Sequence, residues 1–211
     1  MKYPKKLCIN DYVFLVEERV YEPAEDTFLL AENLKVEENG DVLDLGTGCG
    51  ILAVLAAKHA RKVVATDINP YAIKCAKENA RKNSVEDRVE FRLGDLFQPI
   101  RSDETFSLIL FNAPYLPSKP SEQKSWIGRA WAGGANGRDL VDRFITNAPE
   151  FLSAGGRILL VQSSLSGIEK TMEKFADRRL GAKVVAEVKF PFERIVLIEA
   201  EPKSSGVSFR Q

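Results

Sequence analysis

The sequence predicts an α/β fold: a seven-stranded, mostly parallel, Rossmann-like sheet that ends in an antiparallel hairpin. Three observations carry this. Short β-rich runs alternate with helical patterns over most of the chain. A glycine-rich loop lies between the first buried run and the helix after it. The last two β-rich runs are joined by only three residues, too few for a crossover. Of 211 residues, 45% are hydrophobic and 28% charged, which allows a sizeable core.

In chain order, the buried-strand runs are DVLDL (41–45), KVVATD (62–67), RVEFRL (88–93), FSLILF (106–111) and GRILLVQ (156–162). They are near-continuous apolar runs, as expected for strands covered on both faces. Helical patterns fall at 51–60, 69–83, 140–152 and 167–179, with Asn69 as an N-cap ahead of Pro70. This alternation implies right-handed βαβ units. The runs 182–190 and 194–201, joined by PFE, read as the closing hairpin. Residues 1–40 form an N-terminal segment expected to pack on the cofactor site, 41–202 the main domain, and 203–211 a loose tail. Residues 116–138 make a 23-residue insert rich in Gly, Ser and Pro, with a local net charge of +3. Connectors longer than ~12–15 residues are usually functional or disordered.

Charge and cysteine usage exclude several classes. Lys+Arg and Asp+Glu are both 30, so the basic excess of a strong nucleic-acid binder is missing. Cys8, Cys49 and Cys75 contain no C-x-x-C pair, which argues against a disulfide framework or metal site and for a reducing, cytoplasmic setting. No signal peptide stands at the N-terminus, and no apolar run reaches the ~18 residues of a membrane span.

The loop DLGTGCG, Asp44 to Gly50, follows a strand and opens a helix. Its spacing places Gly46, Gly48 and Gly50 in G-x-G-x-G, which differs from the dinucleotide G-x-G-x-x-G and weighs against a nicotinamide oxidoreductase. Asp44 at the strand end is a poor neighbour for pyrophosphate and a good one for a cation. Asp67 ends the next strand, 21 residues after Gly46, where a carboxylate can accept both ribose hydroxyls. Asp95 follows the third strand and can accept from an exocyclic adenine amine, with the Leu96 N–H facing a ring nitrogen. Acids at successive strand ends suit an adenosine that carries positive charge and no phosphate, which is S-adenosyl-L-methionine (product S-adenosyl-L-homocysteine).

The fourth strand runs into FNAPYLP, 111–117. Asn112 can accept from an NH2 group through its side-chain oxygen. Pro114 holds Ala113 extended and turns the Ala113 carbonyl outward as a second acceptor, while Tyr115 offers a flat face. Together these make a clamp for a planar amide or aromatic amine, and Asn112 to Tyr115 are the candidate catalytic residues.

DLGTGCG, Asp67, GDLF and NAPY resemble the class I methyltransferases of the HemK type, whose signature is N-P-P-Y. VYEPAEDTFLL (20–30) and AWAGGANGRDLVDRF (130–144) resemble their archaeal and eukaryotic branch. The resemblance spans about residues 20–162. It implies a class I methyltransferase sheet and methylation of the glutamine amide in the G-G-Q motif of class I translation release factors. It places Thr27, Asp44 and Gly46 at the methionine end of the cofactor, Asp67 at the ribose, Asp95 and Leu96 at the adenine, and Asn112, Ala113 and Tyr115 at the substrate amide. It also implies a small zinc-binding activator protein, because too few residues precede the glycine loop for the N-terminal helical domain of bacterial members. Ala113 replaces the first family proline, which keeps the carbonyl and lowers rigidity. Methylation of a nucleobase amine or a protein lysine, and a non-catalytic cofactor-binding subunit, stand as rival readings.

Overall fold

The computed structural model describes residues 4–203, so Met1–Tyr3 and nearly all of the expected tail lie outside the described residues. The main sheet has seven strands: β3 (Asp41–Leu45), β4 (Lys62–Asp67), β5 (Val89–Leu93), β6 (Phe106–Asn112), β7 (Leu152–Ser163), β8 (Leu180–Lys189) and β9 (Arg194–Pro202). Their order is β5-β4-β3-β6-β7-β9-β8. The five strands from β3 to β7 are parallel, and β9 runs antiparallel to both β7 and β8. The order reverses between β3 and β6, which leaves a crevice beyond the carboxyl ends of those strands.

Side-chain alternation builds two cores. Val42, Val63, Leu108, Leu110 and Val161 face one layer, containing α1 (Glu25–Glu32), α2 (Ile51–Ala56) and α3 (Pro70–Lys82). Leu43, Leu45, Ile109, Phe111 and Leu160 face the other, with Val141 and Phe144 of α5 (Asp139–Asn147) and Phe175 of α6 (Ile168–Asp177). Asn69 caps α3 as expected, its side chain accepting from the Tyr71 N–H at 2.9 Å. The helix expected over 140–152 stops at Asn147 and gives way to a 3-10 turn over Ala148–Phe151, because Pro149 has no N–H to continue the α ladder.

Two regions carry more structure than the sequence shows. Near the N-terminus, β1 (Lys5–Ile9) and β2 (Tyr12–Val16) form an antiparallel hairpin. It docks on a helix, not on the sheet. Asn79 on α3 and Asn83, which caps the C-terminus of α3 one turn later, each imitate a strand partner. Asn83 accepts from the Val13 N–H and donates to the Val13 carbonyl, both at 2.9 Å. Asn79 does the same for Leu15 at 2.8 and 2.9 Å, and also donates to the Cys49 carbonyl in the glycine loop at 2.8 Å.

The insert is folded as well. A 3-10 turn (Glu122–Lys124) leads into α4 (Trp126–Trp131), and a bridge joins Leu116 to Ala132. Its basic character is smaller than the residue count suggests. Arg138 is buried, donating to the carbonyls of Ser166 and Gly167, to Thr171 and to Asp142. Arg129 lies over the Trp126 ring at 4.9 Å.

Candidate active site

The glycine loop turns from β3 into α2 through three left-handed residues, Gly46 (φ +67°), Gly48 (φ +56°) and Gly50 (φ +86°). Gly50 is also required by packing, since a Cβ there would lie 2.8 Å from the Ala76 Cβ. Gly48 differs: a Cβ on it meets nothing within 4 Å. Its bare backbone borders open space in the crevice, as a surface kept clear for a ligand would.

Asp67 secures this loop from the tip of β4. Its carboxylate accepts from the Gly48 N–H at 2.9 Å and from the Asn69 N–H at 2.8 Å. Burial raises its pKa, and these amide hydrogen bonds oppose that rise. Asp44 is fully buried behind the loop. Thr47 donates to one of its oxygens at 2.7 Å, and the other has no partner. Burial pushes its carboxyl up to about 7. Burial also holds the Cys49 thiol up at about 12, so that residue is an inert filler.

The crevice opens as a cleft of about 980 Å³, counting the open solvent at its mouth. Of the residues singled out from the sequence, Thr27, Gly46, Gly48, Asp67, Asp95, Leu96, Asn112 and Pro114 lie on its wall. Asp44, Gly50, Ala113 and Tyr115 are not among the wall residues. Ala113 is buried in the core layer of α5 and α6. The Tyr115 ring is buried in the opposite layer, and its hydroxyl donates to Asp26 at 3.1 Å. Asp95 already accepts from Arg143 at 2.7 Å. Leu96 holds a left-handed conformation at φ +47° on the wall.

Asn112 is oriented by Thr27. Its Nδ2 donates to Thr27 Oγ1 at 3.1 Å, and its Oδ1 is shielded from water without a partner. Thr27 stands in the first turn of α1 beside Asp26, whose Oδ2 accepts from both Tyr21 and Tyr115 at 3.1 Å. Burial first, and the Asp26 carboxylate second, push both phenols well above their ordinary pKa, so both remain donors.

Sequence reasoning passed over Asp26 and Tyr21. An acid in the first turn of a helix reads as an ordinary dipole partner, and its contact with Tyr115 joins segments 89 residues apart. Trp126 and Arg129 of α4 also reach the cleft wall. Among the described residues, no group of three or more His, Cys, Asp or Glu side chains is placed to hold a metal.

A ligand crevice at the switch point of a seven-stranded sheet, closed by an antiparallel hairpin and lined with acids where a dinucleotide site would have its fingerprint, defines a Rossmann-like methyltransferase. Residues 22–128 match the methyltransferase small domain family. The chain belongs to the HemK-type branch of these methyltransferases. It is 43% identical over 183 residues to a Methanocaldococcus jannaschii protein named "Putative protein N5-glutamine methyltransferase", covering 86% of this chain and 91% of that one. It is 40% identical over 153 residues to human methyltransferase HEMK2, covering 67% and 71% of the two chains.

Among solved structures, the E. cuniculi Mtq2–Trm112 complex, described as responsible for methylating the eRF1 translation termination factor, superposes with a TM-score of 0.64. It is 25% identical, with 87% of this chain and 99% of that one covered. The M. jannaschii tRNA m1G37 methyltransferase shares the fold with a TM-score of 0.71 at 21% identity, over 96% of this chain and 58% of that one.

Proposed function

We propose that the protein transfers a methyl group from S-adenosylmethionine to the side-chain amide nitrogen of a glutamine in the G-G-Q motif of a class I translation release factor. One observation carries the reading: Asn112 offers an oxygen with no partner, on an amide held by Thr27 at the cleft. An unpaired, shielded acceptor costs about 1–3 kcal/mol in the free protein. A side-chain movement at the cleft would have to uncover this oxygen, and a substrate NH2 group reaching it would then remove that penalty.

The residues present fit this cofactor. Gly48 leaves room where a Cβ would intrude, and the acids Asp67 and Asp95 line the wall with Asp44 behind them. That charge repels phosphate and favours a cationic ligand. Asp67 would hold the ribose, Asp95 and the Leu96 N–H the adenine, and Thr27 with Gly46 the methionine end. When bound, the cofactor supplies an electrophilic sulfonium methyl.

An amide nitrogen is a weak nucleophile because its lone pair is delocalised. Asn112 Oδ1 and the Ala113 carbonyl would each accept one of its protons and hold the lone pair in line with the methyl. The bound cofactor would supply the methyl and keep the C–S electron pair on its sulfur, and the substrate nitrogen, held by these acceptors, would give up one proton to water. Positioning and electrostatics of this kind lower a barrier by several kcal/mol.

Residues 1–40 would close the cofactor site through Tyr21, Pro23 and Thr27, and the 116–138 insert would shape substrate entry through Trp126 and Arg129. A cytoplasmic setting belongs to this reading, because its substrate is a translation factor. Among the described residues no helix is long and apolar enough to cross a membrane. A small zinc-binding activator subunit belongs to this reading. Leu93, 56% exposed on edge strand β5, is an apolar side chain open to it.

The test is mass spectrometry of release factor, tRNA and DNA incubated side by side with the purified protein and S-adenosylmethionine, with and without the activator. A +14 Da glutamine in G-G-Q is expected. Transfer only to nucleic acid, or none at all, would overturn the assignment.

A further inference from the structure

We propose that Asp26 is a positioning residue that sets which end of the Asn112 amide meets the substrate; this rests on the glutamine-methylating reading above. The two ends of an amide have nearly the same shape, so only its partners decide its orientation. The Asp26 carboxylate can only accept. Its Oδ1 accepts from the Thr27 N–H at 2.6 Å and from the Thr27 hydroxyl at 3.2 Å. Thr27 has a single hydroxyl proton, and that proton is committed to Asp26. Only lone pairs of Thr27 Oγ1 therefore remain for Asn112, 3.1 Å away. The end of Asn112 that faces Thr27 must be NH2, and the oxygen is left for the substrate.

Asp26 is itself fixed. It is 5% exposed, and Tyr21 and Tyr115 both donate to its other oxygen. Polarity thus runs in one direction, from an acceptor-only carboxylate, through a hydroxyl, to an amide whose oxygen has no partner among the described residues. Tyr115, two residues after Ala113, belongs to the same device, since its phenol ties the N-A-P-Y segment to the carboxylate that orients Asn112.

The test is a double-mutant cycle on the complete chain, read in single turnover with the release-factor substrate and by calorimetric binding of S-adenosylmethionine. Asp26→Asn should lower the methyl-transfer rate about 30-fold or more and leave cofactor affinity within about threefold, because a carboxamide can donate to Thr27 and release the Asn112 orientation. Thr27→Val should lower the rate similarly, and Thr27→Ser should restore most of it. In the Thr27→Val background, Asp26→Asn should add less than about threefold, since the residues act in series. Additive losses, or an Asp26→Asn rate within threefold of the parent, would overturn the proposal. Should Asp26→Asn not fold, Asp26→Glu keeps the charge and shifts the carboxylate by one methylene, and a rate loss of tenfold or more is expected. Failure of both variants to fold would assign Asp26 a purely structural role and equally refute the proposal. If the parent protein does not modify glutamine, the functional reading fails first, and the cycle is then read on whichever substrate it does methylate.

Discussion

Gly137 lies so close to the Tyr115 carbonyl that a Cβ on the glycine would come within 2.2 Å of that oxygen. Gly133 stands in the same relation to the Pro114 carbonyl, at 2.7 Å. The glycines of the insert therefore form a backbone buttress for the N-A-P-Y segment, which offsets rigidity lost where Ala113 replaces a proline. Gly137→Ala combines this clash with a φ of +73°. It should destabilise the fold by about 2–5 kcal/mol, measured by urea unfolding, because overpacking and a left-handed non-glycine residue each cost on the order of 1–3 kcal/mol.

Gly48→Ala should behave in the opposite way. No atom lies within 4 Å of the added methyl, so the strain at φ +56° should cost only about 1–2 kcal/mol. The methyl instead enters the cleft. Calorimetry should show cofactor affinity falling tenfold or more with a modest loss of unfolding stability.

Asn112→Ala removes the substrate acceptor and leaves the glycine loop intact. By analogy with deletion of a transition-state hydrogen-bonding group, the transfer rate should fall by about 10²–10³, equivalent to roughly 2.7–4 kcal/mol. Cofactor binding measured in parallel should change by less than about fivefold. Wild-type turnover in this variant would remove Asn112 from the chemistry.

Asp44 gives a pH signature. Its carboxyl is raised to about 7 in the folded chain, against an ordinary value of 3.8. Between those values the native state holds the proton more tightly than the unfolded state does. This contribution to stability is complete below about pH 4 and is lost as pH rises through 7. Asp67 is raised by burial too and acts in the same direction. In the ligand-free protein, Asp44→Asn should therefore gain stability relative to the parent as pH rises from about 5 to 8. Thermal unfolding across that range checks the sign, and a constant difference would contradict it.

Much of the parallel sheet could be read directly from the sequence. The runs 41–45 and 62–67 are strands with those same bounds, and the closing hairpin lies where the short PFE link demands it. These elements are legible because their burial is local in pattern: apolar residues follow one another and turn residues punctuate them. The N-terminal hairpin is different. β2 finds its partners in the side chains of Asn79 and Asn83, a long-range pairing that no periodicity in either segment announces. For the site, the cleft-wall positions of Thr27, Gly48, Asp67 and Asn112 follow from strand ends and family motifs. The place of Tyr115 does not. An aromatic residue beside a clamp suggests a stacking wall, while its hydroxyl is drawn to a buried carboxylate contributed by helix α1.

One amide has a reach that its position conceals. Asn79, almost wholly buried on α3, is bonded at once to the hairpin strand at Leu15 and to the cofactor loop at Cys49. Replacing it with alanine would leave the Leu15 N–H and the Cys49 carbonyl without partners, while the Leu15 carbonyl keeps the Cys75 thiol, a loss of about 2–4 kcal/mol visible in urea unfolding. The same junction makes the N-terminal strand a gauge of the glycine turn. When a ligand stiffens residues 46–50, the Leu15 amide, some distance along the chain and with no cleft of its own, should exchange its hydrogen for deuterium more slowly.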